Sequence, residues 1–430
     1  MEKPVLEMRI ASPFRMSFMR LIKWLLIAVI AGTCIGTASA FFLNTLEWAT
    51  NYRESHLWII TLLPIAGLLI GLSYYYWGST VAKGNNLLLE ELSHPRNTIP
   101  FRMAPLVLAG TVMTHLFGGS AGREGTAVQM GGAIADQFTK LFKVKQADRN
   151  IILIIGISAG FSSVFGTPFA AILFALEVML IRKIRYESIA PCILAAFTAH
   201  YSCLAWGISH IHYISPGVPE MGITNFAWVI FVGALCGLAA LLFSKTTHLF
   251  SHLFGKVIKY APLRPFVGGI LIVIAIGAFD TTKYIGLGIP TIVASFDNGL
   301  PAYTFLIKIL LTAVTLGAGF KGGEVTPLFF IGATLGNALF LFVPLPLSLL
   351  AAVGFVAVFS GAANTPLACT VMGIELFGIH SGIYIGLACM VAYFFSGPTG
   401  IYTSQIIEGP KLQLYKYLGI PGTSKNEDLL

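Results

Sequence analysis

The feature that most limits what this chain can fold into is a series of uncharged apolar runs, each close to bilayer length. The run from Trp24 to Leu43 contains no charged residue, and the run from Phe226 to Phe243 is also uncharged and nearly as long. A membrane-spanning helix needs about 20 mostly apolar residues. Other apolar stretches are shorter or are interrupted by Gly and Pro. The pattern predicts roughly a dozen or more helical pieces, some of them too short to cross the bilayer.

Composition excludes the soluble classes of protein. Hydrophobic residues make up 56% of the 430 residues and charged residues only 11%, less than half of the ~25% that is usual in a soluble domain. The net charge of +8 lies in short clusters between apolar runs rather than along one face, which does not fit a nucleic-acid binder. The alternation of β-barrel strands does not recur. The sequence therefore predicts an all-α, polytopic membrane protein.

Basic residues predict the orientation of the chain. Residues 1–20 carry more basic than acidic side chains, which assigns them to a cytoplasmic N-terminal segment. A signal peptide ending at Ala38-Ser39-Ala40 fits less well, because its leader would be too long and the apolar run continues past Ala40. The basic stretch 181–186 predicts a second cytoplasmic loop. We expect a transmembrane domain over 21–405 and a short cytoplasmic tail over 406–430, with both termini in the cytoplasm.

Two pairs of motifs recur about two hundred residues apart. Glu-x-Thr, followed by five residues and Gly-Ala, begins at Glu124 and again at Glu324, an offset of 200 residues. A Thr-Pro pair with a Glu nine residues after its proline occurs at Pro168 and at Pro366, an offset of 198 residues. The nearly equal offsets predict a tandem duplication, with repeat halves near 21–210 and 220–400.

The repeated motifs have the composition of helix starts inside the membrane. Each is rich in Gly or contains Pro, and each directly precedes an apolar run. A helix start presents N–H groups without intrahelical partners and the positive end of the helix dipole. Several such starts that converge would bind an anion without a full positive charge. The pattern therefore predicts anion transport.

Four acids fall within otherwise apolar sequence, where an unpaired carboxylate is expensive: Glu124, Glu177, Glu324 and Glu375. For Glu177 and Glu375, capping or bracing a helix explains the position at least as well as a role in transport. Glu124 lies among four glycines and fits a functional role better. An ionised carboxylate there would occupy the place of the anion and leave it when protonated, which would couple proton movement to anion movement.

These residues resemble a known family. Gly122-Arg-Glu-Gly-Thr-Ala-Val-Gln129 resembles the GREGPxVQ signature of the CLC chloride channels and anion/proton antiporters, with Thr126 where Pro is usual. The segments 166–174 and 323–327 are similar to the motifs that follow it in that family. The resemblance implies a CLC-type inverted repeat with broken and re-entrant helices, a homodimer with one pore per protomer, and Glu124 as the gating acid. It also assigns anion binding to the neighbouring Gly122, Arg123 and Gly125.

The anion-site motifs differ from those of the chloride type. Chloride-type members carry GSGIP, whose serine contacts the anion, whereas this chain has Gly84-Asn85-Asn86, with Asn85 in the serine position. Chloride/proton exchangers have an inner proton-transfer glutamate directly after the position of Glu177, and this chain has Val178 there. The amide of Asn85 offers N–H donors to an anion. A polar turn before a helix is the alternative explanation of the two asparagines.

These departures resemble the fluoride-exporting branch of the CLC family. In that branch the Glu and Thr of GGEVTP are functional, which implies anion binding by Val325 and Thr326 and an auxiliary role for the acid Glu324. Tyr402 falls where the family's central tyrosine would face the anion. Its alternative is an aromatic residue of the membrane interface. Fluoride is strongly hydrated, so its removal from water requires strong donors close by, such as the hydroxyl of Thr326.

The predicted function is a fluoride/proton antiporter of the cell membrane, with an inorganic anion, a proton and membrane lipid as its partners. A chloride channel or chloride/proton exchanger of the same family stays open as an alternative. An intramembrane enzyme is suggested only by two Gly-x-Ser-x-Gly matches, around Ser120 and Ser158, outside the strand–turn–helix context that a nucleophile requires. The Cys and His residues form no ligand cluster, so we expect no metal, cofactor or catalytic residue.

We expect Ser120→Ala and Ser158→Ala to leave anion flux largely intact, because neither hydroxyl acts as a nucleophile. Ion flux from proteoliposomes measures this directly. Loss of flux in both variants, with folding retained, would contradict this expectation and favour the enzyme class.

Overall fold

The fold consists of helices. The structure, a computed structural model, describes residues 18–178, 186–211, 213, 217–279, 281–405 and 410–419. Within these ranges it contains 17 α-helices and no β-strand, and its only β-type pairing is one antiparallel bridge. The prediction of an all-α, polytopic fold is confirmed. Most of the predicted N-terminal segment 1–20 and of the predicted loop 181–186 lies outside the described residues.

The helices form two successive sets of eight, followed by one more helix. The first set comprises α1 (Phe18–Ser55), α2 (Leu63–Tyr76), α3 (Asn85–Ser93), α4 (Met103–Leu116), α5 (Glu124–Leu141), α6 (Arg149–Phe165), α7 (Pro168–Glu177) and α8 (Ile189–Ala205). The second set comprises α9 (Ile223–Val257), α10 (Leu263–Phe279), α11 (Ile289–Ala294), α12 (Thr304–Ala318), α13 (Val325–Leu339), α14 (Leu347–Ala363), α15 (Pro366–Phe377) and α16 (Gly382–Phe395). The last helix is α17 (Pro410–Tyr417).

The two sets correspond helix for helix. Each opens with a long helix, of 38 residues in α1 and 35 in α9, and has its shortest helix in third place, of 9 residues in α3 and 6 in α11. The packing corresponds as well, since α1 packs on α8 and α9 on α16, while α5 packs on α6 and α13 on α14. The motifs that recur in the sequence therefore lie at equivalent helix starts.

Helix lengths indicate both full and partial membrane crossings. Among the residues that the structure describes, four helical segments are long and apolar enough to span a bilayer: Phe18–Ser55, Leu57–Tyr76, Gln146–Phe165 and Ile223–Val257. Most of the other helices are apolar but shorter. A helix of 15 residues, such as α13, is about 22 Å long, and the hydrocarbon core is about 30 Å thick. Such a helix cannot cross the bilayer alone, so helices that begin or end at membrane depth are expected.

Glycines let the central helices of each half approach closely. A Cβ atom added to Gly131 of α5 would overlap the carbonyl oxygen of Gly156 in α6. A Cβ atom on Gly332 of α13 would overlap the carbonyl oxygen of Gly354 in α14 in the same way. Small residues at helix contacts are typical of membrane proteins, where close packing replaces the hydrophobic driving force. These contacts bring the starts of α5 and α13 to the centre of the molecule.

A buried ion network fixes α3 against α5 and α6. Arg149 is fully buried and donates to both carboxylate oxygens of Asp136, at 2.8 and 2.7 Å, and to Glu91, at 2.7 Å. Backbone N–H groups also donate to these carboxylates. The N–H of Ile99, for example, donates to Asp136 Oδ2 at 2.7 Å. Because α3 has Asn85 at its start and Glu91 near its end, this network sets the position of Asn85. The sequence analysis did not single out these charges.

We expect Arg149→Met to lower the free energy of unfolding by about 3–5 kcal/mol, because it leaves two buried carboxylates without their cation. Thermal or denaturant unfolding in detergent measures the change. The matched control is Arg20→Gln. Arg20 also pairs with an acid, Asp148, at 3.0 Å, but 41% of its side chain is exposed, so the loss should stay below about 1 kcal/mol. Equal losses in the two variants would contradict the structural role of Arg149.

Candidate functional site

Two helix starts meet at the centre of the molecule. Gly122 and Gly323 form an antiparallel bridge, in which the N–H of Gly122 donates to Gly323 O at 2.6 Å and that of Gly323 to Gly122 O at 2.8 Å. Helix α5 begins at Glu124 and α13 at Val325, directly after the two bridged glycines. The first N–H groups of a helix have no partner within it. The bridge therefore places the first backbone N–H groups of α5 and of α13, one helix from each half, close together.

The carboxylate of Glu124 lies at the start of α13, the helix of the other half. Glu124 is 1% exposed, and its Oε2 accepts hydrogen bonds from Thr326 N at 3.1 Å and from Thr326 Oγ1 at 2.5 Å. The Nε atom of Arg123 is 3.7 Å from Glu124 Oε1. A negatively charged group is thus placed where the positive end of α13 favours an anion.

Helix α3 brings Asn85 to the same point. Gly84 precedes it with a φ of +59°, in the region that favours glycine. A Cβ atom added to Gly125 would lie 3.0 Å from Asn85 Nδ2 and 3.0 Å from Gly323 Cα, so the three segments meet closely and a larger residue at this position would have to displace a neighbour. Within the described residues the buried Oδ1 of Asn85 has no hydrogen-bond partner. A buried polar atom without a partner is rare and marks a position where another molecule or ion could bind.

A small cavity lies beside Asn85. Its described lining residues are Asn85, Leu88, Leu89, Val128, Ile157, Phe174, Val178 and Tyr402. About 10 Å³ of this cavity is open to the centre of a water-sized sphere, which is room for one water molecule or one small ion. Tyr402 is 7% exposed. Val178, at the position of the exchangers' inner acid, forms an apolar part of the wall.

Arg123 faces a different and larger cavity of about 300 Å³, whose lining also includes Glu47. Among the described lining residues, none is shared with the cavity of Asn85 and Tyr402. Of the residues that the sequence analysis grouped as one anion site, Asn85 and Tyr402 line one cavity and Arg123 lines the other. The rest of that group is not among the described lining residues of either cavity.

The two halves differ where α5 and α13 begin. Thr326 donates to Glu124, whereas its counterpart Thr126 shares a hydroxyl–hydroxyl hydrogen bond of 2.7 Å with Thr111. In the described part of the chain the Glu324 carboxylate has no hydrogen-bond partner, so it does not accept from the first amides of α5. The only carboxylate that accepts there, among the described residues, is that of Glu124 itself, from Arg123 N at 3.3 Å. The Val325 side chain, 2% exposed, packs in the core, and only its backbone can contribute to the site.

Glu177 and Glu375 form a reciprocal pair of caps. Glu177, at the end of α7, accepts the N–H groups of Leu367 and Ala368 at the start of α15, at 3.0 and 2.7 Å. Glu375 in α15 accepts those of residues 169 and 170 at the start of α7, at 3.1 and 2.7 Å. Each carboxylate thus satisfies the helix start of the other half. The geometry supports the capping interpretation of both acids.

The two serines of the enzyme alternative are bound to backbone carbonyls. Ser120 Oγ donates to Tyr284 O at 3.0 Å, and Ser158 Oγ donates to Cys192 O at 3.4 Å. Both side chains are fully buried. A carbonyl oxygen cannot take a proton from a nucleophile, so neither serine has the setting of an activated hydroxyl.

Comparison with known proteins assigns the chain to a family. A family model described as voltage gated chloride channel matches residues 66–397, most of the chain. The chain is a member of the CLC family. This CLC chain is 51% identical, over 389 residues, to a chloride/fluoride channel protein of Pseudomonas syringae pv. tomato, a match that covers 89% of this chain and 86% of the relative.

Solved structures and other relatives agree with this assignment. The crystal structure of a CLC-type fluoride/proton antiporter superposes with a TM-score of 0.88 at 34% identity, covering 91% of this chain and 99% of that one. An H⁺/Cl⁻ exchange transporter, ClcA of Citrobacter koseri, is 27% identical, with 73% of this chain and 71% of that protein covered. The CLC resemblance and the CLC-type fold expected from the sequence are confirmed.

Gly323 is a central residue that the sequence analysis placed in a motif, 323–327, but did not assign to the site. It pairs with Gly122 and contacts Gly125, so it holds the two helix starts together. The repeat itself contained the signal, because two equivalent motifs of an inverted duplication are expected to meet at its pseudo-two-fold axis. At the offset of 200 residues the counterpart of Gly122 is Gly322, so the repeat leads to the right segment but not to the bridged residue itself, which is Gly323.

We expect Thr326→Val to lower the free energy of unfolding by about 1.5–3 kcal/mol, because the lost hydroxyl donates to an ionised carboxylate. In a Glu124→Gln background the same substitution should cost only about 0.5–1.5 kcal/mol, because the acceptor is then neutral. Unfolding of the four proteins in detergent gives the coupling energy. Equal costs in both backgrounds would show that Thr326 does not stabilise a charged Glu124.

Proposed function

We propose that this CLC protein is a fluoride/proton antiporter of the cell membrane, with Glu124 as its gating and proton-carrying acid. The observation that supports this most strongly is the Glu124 carboxylate at the start of α13, where it takes both donors of Thr326. When ionised, the carboxylate holds these donors and excludes an anion. When protonated, it binds them less strongly and an anion replaces it. A proton then moves with the side chain that the anion displaces.

The donors around this point suit a small anion. The proposed anion-binding residues are Gly84, Asn85, Gly122, Arg123, Gly125, Val325, Thr326 and Tyr402. The Asn85 amide, the Thr326 hydroxyl and the unpaired first amides of α5 can replace part of an ion's hydration shell. The cavity beside Asn85 has room for about one water-sized particle, and fluoride is close to water in size, whereas chloride is larger.

The names of the relatives support fluoride over chloride. The protein at 51% identity is a chloride/fluoride channel protein, and the structure at 34% identity is a fluoride/proton antiporter. The chloride/proton exchanger is more distant, at 27% identity. Chloride transport by the same site is the second candidate, and the family name is the observation that favours it.

Chloride/proton exchangers pass the proton to an inner glutamate, and this chain has Val178 at that position, beside the small cavity. The proton must therefore take a different route here. Val178 lines the cavity and cannot carry a proton. We therefore assign proton transfer to Glu124 itself, with Glu324 as an auxiliary acid. The described structure gives the Glu324 carboxylate no hydrogen-bond partner, so a proton-accepting oxygen is available there.

The proposed assembly is a homodimer surrounded by membrane lipid, with both termini in the cytoplasm and without a cofactor. Large apolar side chains are exposed on α7 and α15, such as Phe169 and Leu367, each 57% exposed. In a membrane these surfaces face either lipid or a second copy. No catalytic residue is part of the proposal.

Ion flux from proteoliposomes tests the function. The wild-type protein should release fluoride with little chloride and should move protons at the same time. Comparable chloride flux would overturn the fluoride assignment in favour of the second candidate. Glu124→Gln and Glu124→Ala should abolish proton flux, because neither side chain can release a proton.

Glu47→Gln is the matched control for Glu124. Glu47 is an exposed acid in the cavity that also holds Arg123, so its replacement tests whether any nearby acid carries the proton. We expect proton-coupled fluoride flux to persist in this variant. Intact coupling in Glu124→Gln would remove Glu124 from its proposed role.

A further inference from the structure

A fully buried lysine lies beyond the predicted membrane domain. Lys411, the second residue of α17, is 0% exposed. Its Nζ donates to Asn364 Oδ1 at 2.5 Å and to Ser396 Oγ at 2.8 Å, and it lies 4.7 Å from the centre of the Tyr393 ring. No carboxylate in the described part of the chain pairs with it. Burying a lysine costs free energy that these contacts must offset, so a buried lysine at the end of the chain calls for an explanation.

Asn364 connects Lys411 to the next part of the structure. It follows the last residue of α14 with a φ of +56°, the left-handed conformation in which asparagine often ends a helix. The partial negative charge of a helix end favours a cation at this place. Asn364 Nδ2 donates to Gln405 Oε1 at 3.2 Å, and Gln405 Nε2 donates to Ala363 O at 3.0 Å. Lys411 and Gln405 therefore share one asparagine.

Gln405 ends the turn that contains Tyr402. Its backbone N–H donates to Tyr402 O at 3.2 Å, and Ile401 N donates to Ala362 O at 2.9 Å. At the other side of the turn, Ser404 N donates to Asn86 Oδ1 at 3.0 Å. The segment 401–405, which we call the Tyr402 turn, is thus bonded to the end of α14 and to the start of α3. Asn85, at the start of α3, and Tyr402, in the turn itself, both line the small cavity.

We propose that Lys411 is a positioning residue for the anion cavity, which acts from α17 through Asn364 and Gln405 on the Tyr402 turn. The bonds form a continuous path: Lys411 to Asn364, Asn364 to Gln405, and Gln405 to Tyr402. Lys411 touches neither the cavity nor the anion. The inference rests on the proposed anion transport, but not on which anion is carried, and it gives α17 a role in anion affinity.

Two substitutions test this path at different bonds. Lys411→Met keeps most of the side-chain length and removes the donor. Asn364→Asp keeps the oxygen that accepts from Lys411, tolerates the left-handed conformation, and removes the donor to Gln405. Asn364→Asp therefore leaves α17 attached while it removes the bond from Asn364 to Gln405; the bonds of Ile401 N, Ser404 N and Gln405 Nε2 stay in place. Gln413→Met, an exposed position of α17, is the control.

The first measurement is the KM and the maximal rate of fluoride flux in proteoliposomes. We expect Lys411→Met and Asn364→Asp each to raise KM about tenfold, the effect of roughly one lost hydrogen bond, with a smaller change in maximal rate. Gln413→Met should match the wild type. If both variants fold and keep the wild-type KM, with lower thermal stability only, Lys411 is merely structural and the proposal is overturned.

The second measurement is amide hydrogen exchange of the Tyr402 turn by mass spectrometry, which needs no transport. Exchange in 401–405 should be faster in both variants and unchanged in Gln413→Met. A raised KM without faster exchange would contradict the path through Gln405. If the wild type moves no anion while exchange still responds to Lys411→Met, the proposed function fails and the structural link to the turn stands.

Discussion

The satisfaction of helix starts inside the membrane is the constraint on which this structure depends. A helix that begins at membrane depth exposes donors that water cannot satisfy, so the protein must supply acceptors. The starts of α7 and α15 receive the carboxylates of Glu375 and Glu177, and the start of α13 receives that of Glu124. At the start of α5, the Arg123 amide donates to Glu124 Oε2 at 3.3 Å, and no carboxylate of the other half accepts there among the described residues. In the proposed transport cycle, this helix start is the one available to the anion that exchanges with the Glu124 carboxylate.

The proposed function depends on a difference between the two halves at the starts of α5 and α13. A duplication produces equivalent helix starts, but an exchange cycle needs one that binds a side chain and one that binds an ion. The difference is small: Thr326 donates to Glu124, whereas Thr126 is bonded to Thr111. Glu324 is partly buried, and unlike Glu124 it accepts no hydrogen bond from a threonine hydroxyl in the described structure. Its carboxylate therefore caps no helix start there. The same pair of threonines thus distinguishes Glu124, the proposed gating acid, from Glu324, the proposed auxiliary acid.

The sequence predicted the helical class, the duplication and the acids, because these depend on periodicity, offset and the cost of charge in an apolar run. It did not predict the division of the site into two cavities, because adjacent residues such as Arg123 and Glu124 point in directions that only the helix start determines. The network of Arg149, Asp136 and Glu91 was also missed, because its partners come from three helices and match no motif. The contacts of Lys411 were missed for the same reason, since a lone lysine in a polar tail usually indicates solvent exposure.

The reciprocal caps of Glu177 and Glu375 have a consequence for the synthesis of the chain. Neither half contains the acceptor for its own α7-type helix start, so a half made alone has two unsatisfied amides at membrane depth. During translation, the start of α7 must wait for Glu375, which is made some two hundred residues later. Two separate halves would have to supply these acceptors to each other. The single chain makes this reciprocal contact within one polypeptide.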